Sequence, residues 1–552
     1  MTMKKILPLL LLIFAVISTT HAQDDPLLKG LDAISEQAVK AQLDFLASDW
    51  MEGRETGEKG IDMAADYIAS MFQVYGLQPG ENTKKHFGRA DLYDMRSINA
   101  SANSYFQEFA LMRSSQSDDH ALAVITGTGG GKKITHFGYK NDFTFARQPV
   151  ISQEGEFSVV FAGYGLVNEE QHYDDYKGIN VKGKVVLRLV GYPGHRDTTS
   201  EAYHKFHPAG NEWTKYRDEM DRNNLAMTKG AVAVIMVYTV KDITQRFAVN
   251  VFRYNYDDYE GDVPKPAAKS RIFLPDDTLT GCIPAFVASL RMANELTAGT
   301  KISLEAFERQ ACETMKPGSK DLSNKKIWLR STVNTEVIKA KNILGMIEGE
   351  NPNEVVIVGG HYDHLGKHNG YIYNGSDDNA SGTVAVMTIA RACMAMGVKP
   401  RRTIIFAAWT AEEKGLFGSE YFADHPPAGK IVSYLNYDMI SRNAKDDPAG
   451  VNCSMTYTQR CKVLEDISRK YNEQYALGLQ VKYKPREKPS GGSDHNAFVK
   501  KDIPIFYYMA GGHEDYHKPQ DHSSKANIAK MTNIIRLGFL GVWDIANREV
   551  FP

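Results

Sequence analysis

Apolar positions along this chain change rhythm twice. Between about residues 30 and 110 they follow a helical period before the pattern turns irregular. Met63, Ala64, Tyr67, Ile68 and Met71 form an i, i+1, i+4, i+5, i+8 stripe, preceded by Leu43, Phe45 and Leu46. Gly76 and the Pro79-Gly80 pair predict the end of that helix. From about 115 to 325 the texture becomes short β-like runs with turns, among them Phe157–Ala162, Lys184–Leu189, Ala231–Val237 and Ile283–Val287. The glycine-rich Gly127–Lys133 has Thr126 where a P-loop needs Gly and Lys133 where it needs Ser or Thr, so it reads as a hairpin turn. Beyond about 338, continuous apolar runs alternate with helical stretches. The runs are Val355–Val358, Thr403–Ala408, Ile431–Leu435 and Ile505–Met509; the helices centre on Thr383–Met396 and Cys461–Tyr471. That alternation predicts an α/β fold with a mixed, mostly parallel central sheet covered by helices on both faces.

The first residues depart from this plan. Lys4 and Lys5 precede an apolar run from Ile6 to Ile17, followed by Ser18-Thr19-Thr20-His21-Ala22, the layout of a secretory signal peptide spanning 1–22. A run of 12 apolar residues is too short to cross a bilayer core of about 30 Å. No later stretch approaches 18 apolar residues, so the expectation is an exported chain, periplasmic or extracellular, with no membrane span after processing. Across 552 residues, 65 Lys and Arg balance 67 Asp and Glu, which argues against a basic nucleic-acid binder or a polybasic membrane-surface protein. Hydrophobic content of 43% suffices for a buried core. The five cysteines, Cys282, Cys312, Cys393, Cys453 and Cys461, form no Cys-x-x-Cys site. In an oxidising compartment Cys453 and Cys461 could pair across a short loop, while Cys393 reads as a small buried hydrophobe.

Candidate chemistry gathers at the carboxyl ends of the late apolar runs. Val355–Val358 leads into His361-Tyr362-Asp363, Thr403–Ala408 into Glu412-Glu413, Ile431–Leu435 into Asp438, and Ile505–Met509 into a loop with His513 and His517. Ser376-Asp377-Asp378 stands before a helix. Ligands of open α/β sheets bind at the strands' carboxyl ends. Taken singly, Asp377-Asp378 is an ordinary helix N-cap pair, Glu412-Glu413 a solvated helix start and His517 a surface residue. Together, so many carboxylates in one cleft would repel one another unless cations compensate them. His combined with Asp and Glu is zinc chemistry.

HYDHLG at 361–366, NGSDDNASG at 374–382, AEEKGLFGS at 411–419, LNYDMI at 435–440, GGSDHNAF at 491–498 and His517-x-x-x-Asp521 resemble, in order, the M28 family of co-catalytic zinc peptidases. The resemblance covers roughly residues 40–110 and 338–548. It implies the zinc exopeptidase fold and two zinc ions per chain, with His361, Asp378 and Asp438 on one ion, Glu413 and His517 on the other, and Asp378 bridging. It further implies Glu412 as general base, Tyr516 as a possible catalytic tyrosine or loop anchor, and Asp363 and Asp494 as supports behind the ligands. His495 belongs to the same supporting element as Asp494, and His513, four residues before His517, could compete with it for the metal. FAGYGL (161–166), VKGKVVLRL (181–189) and KGAVAVIMV (229–237) resemble a protease-associated (PA) insert. The expected organisation is therefore a signal peptide 1–22, a peptidase domain split into 23–114 and 326–552, and a β-rich PA-like insert at 115–325. The function implied is an exported zinc aminopeptidase acting on peptides, with no nucleic-acid partner. Its rivals are a glutamate-type carboxypeptidase using Arg442, a glutaminyl cyclase, and a binding module on an inactive peptidase fold.

Overall fold

A computed structural model describes residues 25–80, 104–127, 131–139, 141–147, 151–208, 212–238, 270–275, 283–368, 370–427 and 429–552. The expected signal segment 1–22 and Cys282 lie outside the described residues. The chain divides into two compact units, one of Met1–Ala110 with Ile338–Pro552 and one of Leu111–Val337, the latter wider at both ends than the 115–325 read from sequence texture.

In the first unit each late apolar run forms the heart of a strand. The strands are β1 (Lys320–Ile347), β2 (Asn351–His361), β3 (Arg402–Trp409), β4 (Lys430–Tyr437), β5 (Asn452–Thr458), β6 (Gln480–Arg486) and β7 (Ile505–Met509). They lie in the order β6-β5-β7-β4-β2-β3-β1, with only Ile343–Ile347 of β1 pairing here. The β2–β3, β2–β4, β4–β7 and β5–β6 pairs are parallel, and β1–β3 and β5–β7 are antiparallel. This is the mixed, mostly parallel sheet that the alternation predicted.

Successive strand residues point to opposite faces, and the core divides accordingly. Val356, Val358, Ile404 and Phe406 join a cluster with the helices Lys59–Tyr75, Gly382–Ala395 and Ile528–Asn547. Val355, Ile357, Ile405 and Ala407 join another with Trp409, Phe422 and Phe498. All eight residues of β3 are buried, as a strand covered on both faces requires. Helix Lys59–Tyr75 stops where Gly76 adopts φ 85°, a left-handed cap that glycine adopts without strain.

In the second unit the strands Gln153–Phe161, Val185–Leu189, Ala233–Val237 and Ala285–Ala288 are parallel neighbours in that order. Phe106–Thr126 pairs antiparallel with Lys133–Gly138, Thr126 opposite Lys133, and residues 128–130 of the glycine-rich segment expected as a hairpin turn lie outside the described residues. The helices Glu201–Phe206, Glu212–Thr228, Leu290–Thr297 and Leu304–Thr314 accompany these strands, although the β-like texture did not announce them. Among the described residues no helix is long and apolar enough to cross a membrane. Cys312, Cys393, Cys453 and Cys461 are all free thiols, so the Cys453–Cys461 pairing is corrected. The residues between them are extended rather than looped, because Cys453 lies near the start of β5 and Cys461 beyond its end. At about 3.3 Å per residue the strand separates them well past the ~7 Å limit for a disulfide.

Candidate metal centre

The middle strands β4, β2 and β3 deliver their carboxyl ends side by side. His361 is the last residue of β2; Glu412 and Glu413 follow β3, and Asp438 follows β4. Asp378 arrives from the segment Ser376–Ser381 ahead of helix Gly382–Ala395. Asn379 fastens that segment to β4: its Nδ2 donates to the Tyr437 carbonyl (2.9 Å), and its Oδ1 accepts from the Gly382 amide (2.9 Å) and the Met439 amide (3.3 Å). A Cβ on Gly382 would stand 2.5 Å from the Tyr437 carbonyl oxygen, so glycine permits this close approach.

The ligand atoms converge in two groups that share Asp378. His361 Nε2 is 3.3 Å from Asp378 Oδ1 and 3.8 Å from Asp438 Oδ1. His517 Nε2 is 3.0 Å from Asp378 Oδ2 and 3.2 Å from Glu413 Oε2. Each oxygen of Asp378 therefore faces a different histidine. His364, which the motif reading passed over, brings Nδ1 to 2.7 Å from Glu413 Oε1 and is fully buried. Its signal was present as the second His of HYDH, three residues after His361.

The supporting groups do more than the motifs conveyed. His361 Nδ1 lies 3.2 Å from the Asp363 carbonyl oxygen and 3.6 Å from its carboxylate, which leaves Nε2 aimed into the acidic cluster. The Asp363 carboxylate instead accepts the amides of Glu412 (3.0 Å) and Glu413 (3.2 Å), holding the Glu-Glu pair in place. Asp377 turns away from the cluster to accept from the Ser441 amide and hydroxyl, and its other oxygen is 3.1 Å from His513 Nε2. His513 thus faces Asp377. Asp521 Oδ2 accepts the amides of Asp377 (2.8 Å) and Asp378 (3.2 Å). Asp494 is buried, and burial, reinforced by Asp363 and Asp438, lifts it to about 7. His495 stacks on Tyr507, and burial lowers it to about 4. Tyr516 is 42% exposed and stacks on the His517 ring at 3.8 Å.

Charge in the cluster is strongly coupled. Burial drives Glu412 well above the usual carboxylate range, with Glu413, Asp494 and Asp438 adding to it against the pull of His361. Burial and Asp378 push Glu413 upward, but the His364 and His517 imidazoles hold it at about 2. Burial opposes charge on His517, yet Asp378 and Glu413 raise it to about 9.

These residues fit a pair of divalent ions. Two donors about 2.0–2.2 Å from one tetrahedral ion stand roughly 3.3–3.6 Å apart. The His–carboxylate separations of 3.0–3.8 Å bracket that spacing. His361 Nε2 and His517 Nε2 are buried and make no hydrogen bond, as ligand nitrogens are placed. A cleft of about 1100 Å³ opens beside them, lined by Asp378, Glu412, Asp438, Leu416, Met439, Met509 and Tyr516 among others.

Residues 342–538 match the profile of Peptidase family M28. Over 193 residues the chain is 32% identical to Leupeptin-inactivating enzyme 1 of Streptomyces exfoliatus, covering 33% of this chain and 38% of that protein. Over 170 residues it is 31% identical to Leucine aminopeptidase 2 of Trichophyton equinum, covering 30% of this chain and 32% of that one. The match thus spans about a third of these relatives' length. Among solved structures, an aminopeptidase from Aneurinibacillus sp. strain AM-1 superposes with a TM-score of 0.53 at 18% identity, covering 95% of this chain and 97% of that one, which shows a shared fold. The stretch that matches the Peptidase family M28 profile, residues 342–538, is the one in which all the ligand atoms described above lie.

Proposed function

We propose that this chain is a zinc-dependent aminopeptidase that holds two ions and hydrolyses the N-terminal peptide bond of peptides. The observation that carries this reading is Asp378, whose two oxygens face His361 and His517 separately. His361 and Asp438 would complete one ion's set and Glu413 and His517 the other's, while His364 also stands close enough to Asp378 and Glu413 to serve as a ligand there. When bound, such a pair supplies a water of lowered pKa and electrophilic assistance to the carbonyl.

The chain's own groups do the rest. Glu412, directed into the cleft by Asp363, would take the proton of the attacking water and pass it to the leaving amine. Tyr516, kept protonated by burial and the surrounding carboxylates, would donate to the developing oxyanion from the cleft wall. Leu416, Met439 and Met509 offer an apolar wall for a substrate side chain. Arg442, the cation of the carboxypeptidase reading, lines the cleft but donates to Asp515 at 2.6 Å and to Asp521 at 3.4 Å, which weighs against its gripping a terminal carboxylate.

The test is a zinc-supplemented screen of paired free and N-acetylated peptides with products read by mass. Release of the first residue from the free peptides alone is expected. Release from the carboxyl end would replace this reading with the carboxypeptidase one.

A further inference from the structure

The segment Asp49–Thr56 lies outside the family match, yet it touches most of the loops that carry the candidate ligands. Arg54 is fully buried, and among the described residues its guanidinium forms no ion pair with a carboxylate. It donates instead to backbone carbonyls: Tyr362 (2.7 Å), Leu46 (2.6 Å), Asn374 (2.7 Å) and Gly375 (2.9 Å). Tyr362 follows His361 directly, and Asn374-Gly375 opens the turn that ends at Asp378. The Arg54 carbonyl in turn accepts the His364 amide at 3.2 Å.

The neighbours of Arg54 extend the same grip. Asp49 accepts from the Asn374 side chain (2.8 Å), Thr56 reaches the Asp363 carboxylate (3.4 Å), and Glu55 accepts from Lys414, next to Glu413 (2.9 Å). The backbone is shaped for this contact. Glu52, Gly53 and Arg54 are successively left-handed, with φ of 47°, 72° and 49°. A Cβ on Gly53 would meet the carbonyl oxygens of Gly366 and Tyr373 at 2.5 and 2.6 Å.

We propose that Asp49–Thr56 is a positioning bracket for the metal centre, with Arg54 at its middle, and that it sets the affinity of the centre for zinc. Two properties of Arg54 contribute. Its rigid fork fixes the carbonyls behind His361 and Asp378 at once, which a lysine's single ammonium cannot do. Its charge also lies near Asp363, Asp378, Asp521 and Glu413, giving the acidic cluster a fixed counter-ion before any metal arrives. Burial lowers the guanidinium to about 10, so it stays protonated at neutral pH. This inference rests on the reading that the cluster holds zinc.

The test strips the full-length chain with a chelator and measures zinc affinity by competition with a chromophoric chelator. Arg54→Met is expected to weaken zinc binding about 10–100-fold, the usual cost of removing a support behind metal ligands, with Arg54→Lys in between. Arg402→Met is the control. Arg402 is also buried and donates to the Ile545 and Arg548 carbonyls, but these lie at the far end of helix Ile528–Asn547. It is expected to destabilise the chain with zinc affinity unchanged. A folded Arg54→Met binding zinc within twofold of the parent chain overturns the proposal, as does an equal loss in Arg402→Met. Should Arg54→Met fail to fold, Asp49→Ala and Thr56→Val leave Arg54 in place; each is expected to weaken zinc at least threefold, and parent affinity in both overturns the bracket. A parent chain that binds no zinc refutes the metal reading itself, an outcome distinct from the others.

Discussion

Each unit of this chain is built on parallel strands, and each buries charge, but the two resolve that charge differently. In the second unit Arg188 is fully buried and donates to Glu219 at 2.7 Å, to the Asn223 side chain, and to the Leu189 and Glu219 carbonyls. Asp175, raised to about 7 by burial, is answered by the amides of Tyr164 and Leu166. Arg188 meets an opposite charge and Asp175 meets backbone donors, each within the unit. In the first unit Asp378, Glu412, Glu413 and Asp438 face a common cleft, and the Nε2 atoms of His361 and His517 among them make no hydrogen bonds. A buried charge that meets its partner within the chain is structure. A cluster of like charges whose imidazoles stay open is built for a cation from outside.

The largest expected effect breaks the comparison at its centre. Asp378→Ala removes the carboxylate that both groups share, so zinc content should fall from two ions per chain toward none, read by metal analysis after dialysis. Glu219→Gln, the corresponding disruption in the second unit, should leave zinc content unchanged. If both variants lose zinc alike, the two charge arrangements do not differ in kind.

Next in size is Glu412→Gln. Activity should drop about 10²–10⁴-fold with two zinc ions retained, because this residue moves a proton and is not counted among the ligands. Loss of metal in this variant would make Glu412 a ligand instead.

A smaller effect sharpens the assignment around Glu413, which faces both His364 and His517. His517→Ala is expected to weaken zinc more than His364→Ala; the reverse order would exchange their roles. In the metal-free chain His517 sits at about 9, above its ordinary 6.5, so at neutral pH it must lose a proton to coordinate. Zinc affinity should therefore rise with pH and level off above about 9, with proton release seen as buffer-dependent binding heat. The sign for metal-free stability is the opposite. A raised histidine contributes fully below pH 6.5, and that contribution is lost as pH rises through about 9.

The smallest effect is confined to folding. Glu219→Gln removes the charge partner of a buried guanidinium and should cost about 3 kcal/mol, seen as a lower denaturation midpoint of the metal-loaded chain.

The sheet was legible because its physics is local. Val355–Val358, Thr403–Ala408, Ile431–Leu435 and Ile505–Met509 are continuous apolar runs, and each lies within a strand covered on both faces. His361, Glu413 and Asp438 were legible as candidates because they follow those runs closely, whereas Asp378 stands ahead of a helix. Helix Ile528–Asn547 went unread although it buries Ile534, Ile535, Leu537 and Leu540, since no chemical motif drew attention to it. The second unit's helices were hidden for another reason: Glu212–Thr228 is polar along most of its length and carries no clear apolar stripe.

By itself, then, the sequence determined a mostly parallel sheet, a helix ending at Gly76, and a row of acidic and imidazole groups at neighbouring strand ends. Each follows from a short-range period or a residue's own conformational preference. Only the tertiary structure decided which neighbour faces the cluster: Asp378 meets His361 and His517 while Asp377 meets Ser441 and His513, and Arg442 is taken by Asp515. It alone decided that Asp363 holds the Glu412-Glu413 amides and that Arg54 grips carbonyls 308 to 321 residues away. Such choices depend on hydrogen bonds between segments that meet only after the sheet has formed. No period along the chain encodes them.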